Sequence, residues 1–391
     1  MINPRDFGKR HVGYGVLVGS FLWALPCGWV PADTLPSTSD SLTFADFELE
    51  LPTGLSAVAF YVPTDNPMTK EKVELGRTLF FDPRLSRDNT VSCATCHSPR
   101  TAFADNRRVS PGIGSRVGDR NAPTIINRAF SREQFWDGHA DSLEEQSKAP
   151  LIDPREMGIS SLGLLVEKLR AIKGYNAWFK SVFGRDVHID DLAKALAAFE
   201  RTVVSGESNI DKFGAGNHQA INESEKRGLE LFKDKARCIQ CHNGFNFTDE
   251  KYHNIGIDWD STSVDLGRFI VTKKVEDIGA FKTPTLREIA RTAPYMHDGS
   301  LATLEETVEF YNRGGIANPF LDVEMKRSNR TLDQVLKYYE KKKMAGKGPA
   351  PESELLRLNL TKQESADLVN FLKALNGRGW QHIGAPASFP D

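Results

Sequence analysis

Two stretches of the chain repeat one pattern of polar and apolar positions. Glu71-Lys72-Val73-Glu74-Leu75-Gly76-Arg77-Thr78-Leu79-Phe80-Phe81-Asp82 and Glu225-Lys226-Arg227-Gly228-Leu229-Glu230-Leu231-Phe232-Lys233-Asp234 both place Gly three residues before a Leu-Phe pair and end at Asp. Each is matched further on by an amphipathic stretch. Residues 189–204 carry Leu192, Leu196, Phe199 and Val203 at helical spacing, and residues 362–376 carry Leu368, Phe371, Leu372 and Leu375. Thr361 with Glu364 forms a capping box before the last of these, and Gly377 stops it. Strand-like alternation is sparse, so the fold class is mainly α.

The N-terminus has a different pattern. Lys9, Arg10 and His11 form a basic start, Val12 to Trp29 is largely apolar, and Val30-Pro31-Ala32 offers small residues for cleavage after Ala32. This is the layout of an export signal over residues 1–32, with an uncleaved membrane anchor as the alternative. Residues 33–64, beginning Asp33-Thr34-Leu35-Pro36-Ser37, read as a flexible mature N-terminus. The glycines at 206, 214 and 216 put a boundary between the halves, giving domains at 65–210 and 211–391. Lys341 to Pro351, rich in Lys and Pro, reads as a surface insertion.

A chain of 391 residues suffices for two cores. At 26% charged residues and a net charge of -2, it shows no basic excess of the kind that nucleic acid or an anionic membrane would attract.

The five cysteines narrow the chemistry. Cys27 falls in the leader; the others form Cys93-Ala94-Thr95-Cys96-His97 and Cys238-Ile239-Gln240-Cys241-His242. Cys-x-x-Cys-His is the haem c attachment pattern: two sulfurs on one turn meet the two vinyl groups of a haem, and the next residue brings an imidazole beneath the iron. Four cysteines could also make one zinc site or a disulfide framework. The His after each pair, the distance between pairs and the export signal favour two covalent haems, with Cys93, Cys96 and His97 holding one and Cys238, Cys241 and His242 the other.

From about residue 65 to 377 the chain resembles the bacterial dihaem cytochrome c peroxidase and MauG superfamily. The residues carrying the likeness are Arg120-Asn121-Ala122-Pro123, Phe135-Trp136-Asp137-Gly138 and Asp153-Pro154-Arg155-Glu156-Met157-Gly158 after the first haem motif. After the second they are Asp265-Leu266-Gly267-Arg268, Lys282-Thr283-Pro284-Thr285-Leu286-Arg287 and Ala293-Pro294-Tyr295-Met296-His297-Asp298-Gly299. The resemblance implies two cytochrome-c-like domains whose haems face a shared interface.

It also implies axial ligands. The peroxidase branch has a loop His sixteen residues after the first proximal His; here Ile113 stands there and cannot bind iron. The first haem is therefore expected to keep an open face, with His139 as a rival ligand. For the second haem the matching position is Tyr311, the residue type MauG-like proteins use, with Met296 as the alternative. By spacing alone Tyr311 is a core aromatic on a helix.

By the same resemblance Glu156 is the distal acid-base group, Gln146 a distal hydrogen-bonding residue, Pro150 a pocket proline and Trp136 the aromatic between the haems. A calcium ion between the domains would take the Asn121 side chain and the backbone carbonyls of Thr292 and Pro294. For its role Glu156 has to be partly buried with a raised pKa. Arg107, Arg108, Arg116 and Arg120 are candidates for haem propionates, and His188, His218, His253 and His382 read as surface or loop residues.

The expected protein is a periplasmic dihaem enzyme that reduces hydrogen peroxide. Its electrons come from a small cytochrome c or cupredoxin, or, as in MauG, from a protein or organic substrate; an oligomer is allowed. The rival is a dihaem cytochrome that only carries electrons.

Overall fold

Thr69 opens the first long helix in the computed structural model: its hydroxyl accepts from the Lys72 N–H, and α1 runs Lys70–Phe81. The structure describes residues 39–327 and 355–391, with Asp333, Gln334, Lys337 and Glu340 between them. The expected leader and the expected insertion at 341–351 lie outside the described residues. After α1 come α2 (Cys93–Cys96), α3 (Leu143–Gln146), α4 (Ala149–Ile152), α5 (Leu162–Ala171), α6 (Lys173–Phe183) and α7 (Ile189–Glu200). A joint helix, α8 (Asn209–Gly214), leads to α9 (Glu223–Lys233), α10 (Phe269–Thr272), α11 (Leu304–Arg313) and α12 (Lys362–Lys373). The sheets among the described residues are two short antiparallel ladders, Asp40–Thr43 with Glu48–Leu51 and Tyr252–His253 with Phe281–Lys282. The fold is mainly α, as the patterning predicts.

Each half is organised on one helix crossing. At Gly76 on α1 a Cβ would come within 1.8 Å of the Ala195 carbonyl oxygen and 2.9 Å of the Phe199 Cβ on α7. At Gly228 on α9 a Cβ would come within 2.1 Å of the Asp367 carbonyl and 2.7 Å of the Phe371 Cβ on α12. Both crossings need a residue with no side chain, which is the physical meaning of the repeated Gly-x-x-Leu-Phe pattern. One apolar core gathers Leu79, Phe80, Phe103, Leu196 and Phe199; the other gathers Phe232, Phe247, Leu368 and Phe371.

Two segments differ from the sequence reading, and the boundary between the halves is fixed more tightly than its glycines suggest. Residues 33–64 are not a flexible arm throughout: residues 40–51 form a hairpin, and Leu51 and Leu55 are buried with Val204 in a third small core. The boundary segment 205–216 is anchored, because Asp211 on α8 and Arg287 form an ion pair in which both side chains are fully buried. Arg287 also donates to the Gly54 carbonyl at 2.9 Å. The C-terminal tail, assigned to the second domain, returns to the first core: Trp380 packs edge-on to Phe103, Gly174 donates to the Asp391 carbonyl, and Arg84 donates to the Pro390 carbonyl. Each of these segments is short and weakly periodic, so its position follows from tertiary contacts that no local pattern announces.

Candidate functional site

α2 is a single turn fixed at its start, where the Ser92 N–H donates to Thr95 Oγ1 at 3.0 Å. It carries Cys93 and Cys96 on one turn and delivers His97 at its end. The ring Nδ1 of His97 lies 3.2 Å from the Phe103 carbonyl. In the second half Cys238–Gln240 form a 3₁₀ turn, and His242 Nδ1 lies 3.1 Å from the Phe247 carbonyl. The local frames match: Phe103 and Phe247 both adopt left-handed backbone, at φ 55 and 51. Thr124 Oγ1 donates to the Ala102 carbonyl and Thr285 Oγ1 to the Asn246 carbonyl, both at 2.6 Å. With Nδ1 held by a carbonyl, each imidazole keeps Nε2 for another partner, the arrangement of a metal-ligating histidine. Burial lowers both pKa values, that of His242 to about 4, so the rings are neutral and able to ligate.

The four described cysteines form no disulfide. Among the described residues the one close group of three or more potential metal ligands is Cys241, Asp249 and His253, so the four sulfurs do not gather into a zinc site. What they face instead, in the second half, is a cavity of about 240 Å³ walled by Cys238, Cys241, His242, Leu368, Leu372 and Tyr311. An apolar slot between a neutral His and a Tyr, with two thiols at its edge, fits a covalently held haem. Tyr311 lies near the C-terminal end of α11, which a Thr303–Glu306 capping box starts and Gly314 stops. Burial, reinforced by Cys241 and Cys238, raises the Tyr311 phenol, and its hydroxyl makes no hydrogen bond to a described residue. Met296 shares the same wall.

Around the first cysteine pair, Ile113 is fully buried and its N–H donates to the Glu156 carbonyl at 2.8 Å. The loop bearing Ile113 lies flat on the Glu156 turn. A Cβ at Gly158 would come within 2.1 Å of Ile113 Cδ1, and one at Gly112 within 2.0 Å of the Arg155 carbonyl. Arg116 adds a bond to the Pro154 carbonyl at 3.1 Å. Glu156 is half-buried. Its pKa is raised, first by burial and then by Asp153, with Arg155 opposing. Its charge is felt at both Cys93 and Cys96, and its carboxyl bonds to no described residue. Gln146, also half-buried, closes α3 with its amide side chain unbonded to described residues. The Pro150 carbonyl accepts the Met157 N–H at 3.2 Å, tying the Glu156 turn to α4.

Trp136 belongs to that cavity's wall together with Ala104 and Pro123, and the Pro123 carbonyl also faces the His97 ring. Its indole N–H donates to the Asn121 carbonyl at 2.9 Å. The Asn121 amide donates to the Arg107 and Arg108 carbonyls at 3.0 and 3.3 Å, which leaves its Oδ1 available. Asn121, Thr292 and Pro294 share the cavity wall, an all-oxygen set of the kind that suits a hard cation.

Other candidates are engaged elsewhere. His139 is exposed, stacked on Phe135 with ring centroids 4.0 Å apart, and its Nδ1 lies 2.6 Å from Asp137 Oδ1. Arg107 pairs with Asp105, Arg108 with Asp298, and Arg120 with both Asp137 and Asp265.

Two groups that the sequence did not single out stand beside the cofactor sites. His253, read from sequence as a surface or loop residue, is clamped between Asp249 at 2.9 Å and Asp322 at 2.8 Å, with Asp322 and His253 both in the second cavity's wall. Burial alone would lower its pKa, but the two carboxylates outweigh that and raise it to about 12. Glu200, the last residue of α7, is buried; nothing in the 3.6-residue period distinguishes it from a solvated helix end.

The family model for di-haem cytochrome c peroxidase matches residues 70–219. The chain is 44% identical to the methylamine utilization protein MauG of Methylorubrum extorquens over 268 residues, 68% of this chain and 75% of the relative. It is 35% identical to the cytochrome-c peroxidase IdrP1 of a Pseudomonas species over 347 residues, 81% and 83% of the two chains. Among solved structures, a MauG-like protein associated with microbial copper homeostasis superimposes with a TM-score of 0.70 at 33% identity, covering 85% of this chain and 96% of that one.

Proposed function

The chain belongs to the dihaem cytochrome c peroxidase and MauG family, and is thereby a dihaem oxidoreductase; from that premise we propose that it is exported to the periplasm and reduces hydrogen peroxide at the haem held by Cys93, Cys96 and His97. Cys238, Cys241, His242 and Tyr311 would hold the second haem, which would supply electrons to the first, with Trp136 as the aromatic between them. One observation carries the reading. Buried Ile113, which offers iron no donor, is tied by its N–H to the Glu156 carbonyl, and the Glu156 carboxyl bonds to no described residue while its charge helps raise the Cys93 and Cys96 thiols.

When bound, a haem with one open face supplies the iron at which the O–O bond of peroxide is cleaved with two electrons. The protein's part is proton handling. Glu156 accepts a proton from one peroxide oxygen and returns it to the other, which leaves as water, with the Gln146 amide holding the peroxide by a hydrogen bond. The sum is H2O2 with two protons and two electrons giving two waters. Burial of Glu156 suits the task, because a carboxyl raised above its ordinary range is a better proton acceptor. Trp136 is fixed at its indole nitrogen and its carbonyl, so its ring keeps one orientation between the halves. A calcium ion on Asn121, Thr292 and Pro294 would tie those loops together.

Ile113 and Tyr311 favour electrons drawn, as in MauG, from a protein or organic substrate over a small cytochrome c or cupredoxin. Steady-state peroxide consumption by the haem-loaded protein, with each donor class in turn, tests the reading. Turnover with either supports it; peroxide left unconsumed with both haems in place returns the chain to plain electron carriage.

A further inference from the structure

The repeat gives residues 190–200 of α7 counterparts on α12. Gly76 meets Ala195 and Phe199 as Gly228 meets Asp367 and Phe371. The Val203 carbonyl takes the Asn127 N–H as the Leu375 carbonyl takes the Glu288 N–H. In this register Leu196 corresponds to Leu368 and Glu200 to Leu372. Leu368 and Leu372 both wall the second haem cavity. The first half therefore carries a carboxylic acid where the second carries leucine.

Glu200 is 5% exposed, and its carboxyl makes no hydrogen bond to a described residue. Several charged groups on the elements packed against α7 are bonded to other partners. On α3, Glu144 forms a two-pronged pair with Arg201 at 2.9 and 3.0 Å. Arg128 donates to Gln134 Oε1 and the Glu133 carbonyl. On α1, Lys72 bonds Asn66 and the Pro67 carbonyl, and Arg77 bonds Glu74. On α5, Lys168 and Arg170 bond Ser86, Asn89 and the Val187 carbonyl. On α2, the Cys93 thiol is raised first by burial and then by the Glu200 charge. Burial pushes the carboxyl up to about 8, with Arg201 and Arg128 pulling it back and Glu144 adding to the rise.

We propose that Glu200 is a proton-exchanging group of the first haem site, taking up a proton when that haem gains an electron and releasing it when the haem loses one. A ferric haem carries one more positive charge than a ferrous one, and a carboxylate in a poorly solvated wall stabilises that charge. Reduction removes the charge, the carboxylate loses its stabilising partner, and a solvent proton neutralises it. One electron from an added reductant is thus matched by one proton on Glu200. The second haem, with Leu372 at the same place, has no such group there. The inference rests on haem attachment at Cys93, Cys96 and His97, and not on peroxide turnover.

The test is spectroelectrochemical titration of the first haem in the haem-loaded protein across about pH 6–10, a window spanning an acid of this kind. The wild-type midpoint potential should fall as pH rises, Glu200→Gln should flatten the profile, and Glu156→Gln should keep the fall. Glu200→Leu, which installs the α12 counterpart, should be flat as well and serves if the glutamine variant fails to fold. A flat wild-type profile, a wild-type slope in the Glu200 variants, or a slope lost only in Glu156→Gln overturns the proposal. Peroxide turnover is read separately, so its absence with the slope intact counts against the catalytic reading alone.

Discussion

The backbone N–H of Asn121 donates to the His297 carbonyl at 2.7 Å, and this bond has a reciprocal: the Lys282 N–H donates to the Trp136 carbonyl, also at 2.7 Å. Trp136 and His297 sit at matching places in two matching turns. The turns are closed by bridges between Gln134 and Ala140 and between Tyr295 and Leu301, and each has a left-handed glycine, Gly138 or Gly299. Asn121 and Lys282 likewise match, two residues before Pro123 and Pro284. The two halves therefore hold one another through the loops next to their cofactor sites, and Trp136 is the large aromatic fixed in that clasp.

Trp136→Phe is expected to keep both haems and the fold, because the Lys282 bond uses only backbone. It removes the indole N–H bond to Asn121 and the more easily oxidised ring. Stopped-flow reduction should show slower electron passage from the second haem to the first. Passage at the wild-type rate would mean that the indole is only packing.

Glu156→Gln should leave the haem spectra unchanged and slow peroxide consumption by about 10²–10⁴-fold, the usual worth of a positioned acid-base group. Its pKa is raised by burial, so the deprotonated, accepting form is gained at higher pH than for an ordinary carboxylate. Wild-type activity should accordingly rise through that elevated value, and the residual activity of the variant should lose that limb.

Tyr311→Phe removes the hydroxyl that lacks a partner among the described residues and should change the second haem's absorption spectrum. An unaltered spectrum passes the ligand role to Met296.

The sequence pointed to the haem-attachment motifs because covalent attachment needs Cys, Cys and His in one short turn, and it reached the repeat because Gly76 and Gly228 answer the same steric demand. It did not reach His253 or Glu200. Each has chemistry only through groups far away in the chain, Asp322 for one and the α1–α7 crossing for the other. The hairpin at 40–51 and the tail at 380–391 were missed for the same reason: Leu51, Leu55 and Trp380 are buried by partners that no local period predicts.

Asp322→Asn takes one negative charge from the cluster in which His253 lies between two carboxylates in the second cavity's wall. Loss of an anion there disfavours ferric iron, so the second haem's midpoint potential should rise while its spectrum stays the same. A potential that stays put or falls would show that the cluster acts only as scaffold.

Asp211→Ala leaves the Arg287 guanidinium buried without its partner, and breaking such a pair costs about 3–5 kcal/mol. Because the pair joins α8, Gly54 and the segment leaving the second haem site, the denaturant midpoint should drop substantially. A shift within that of ordinary surface substitutions would contradict the structural role.

The account depends most on an open iron face at the His97 haem, and electron paramagnetic resonance of the ferric, resting protein reads that directly. Because Ile113 offers no donor, a high-spin ferric signal is expected, one that changes when peroxide is added. Two low-spin haems indifferent to peroxide would contradict it.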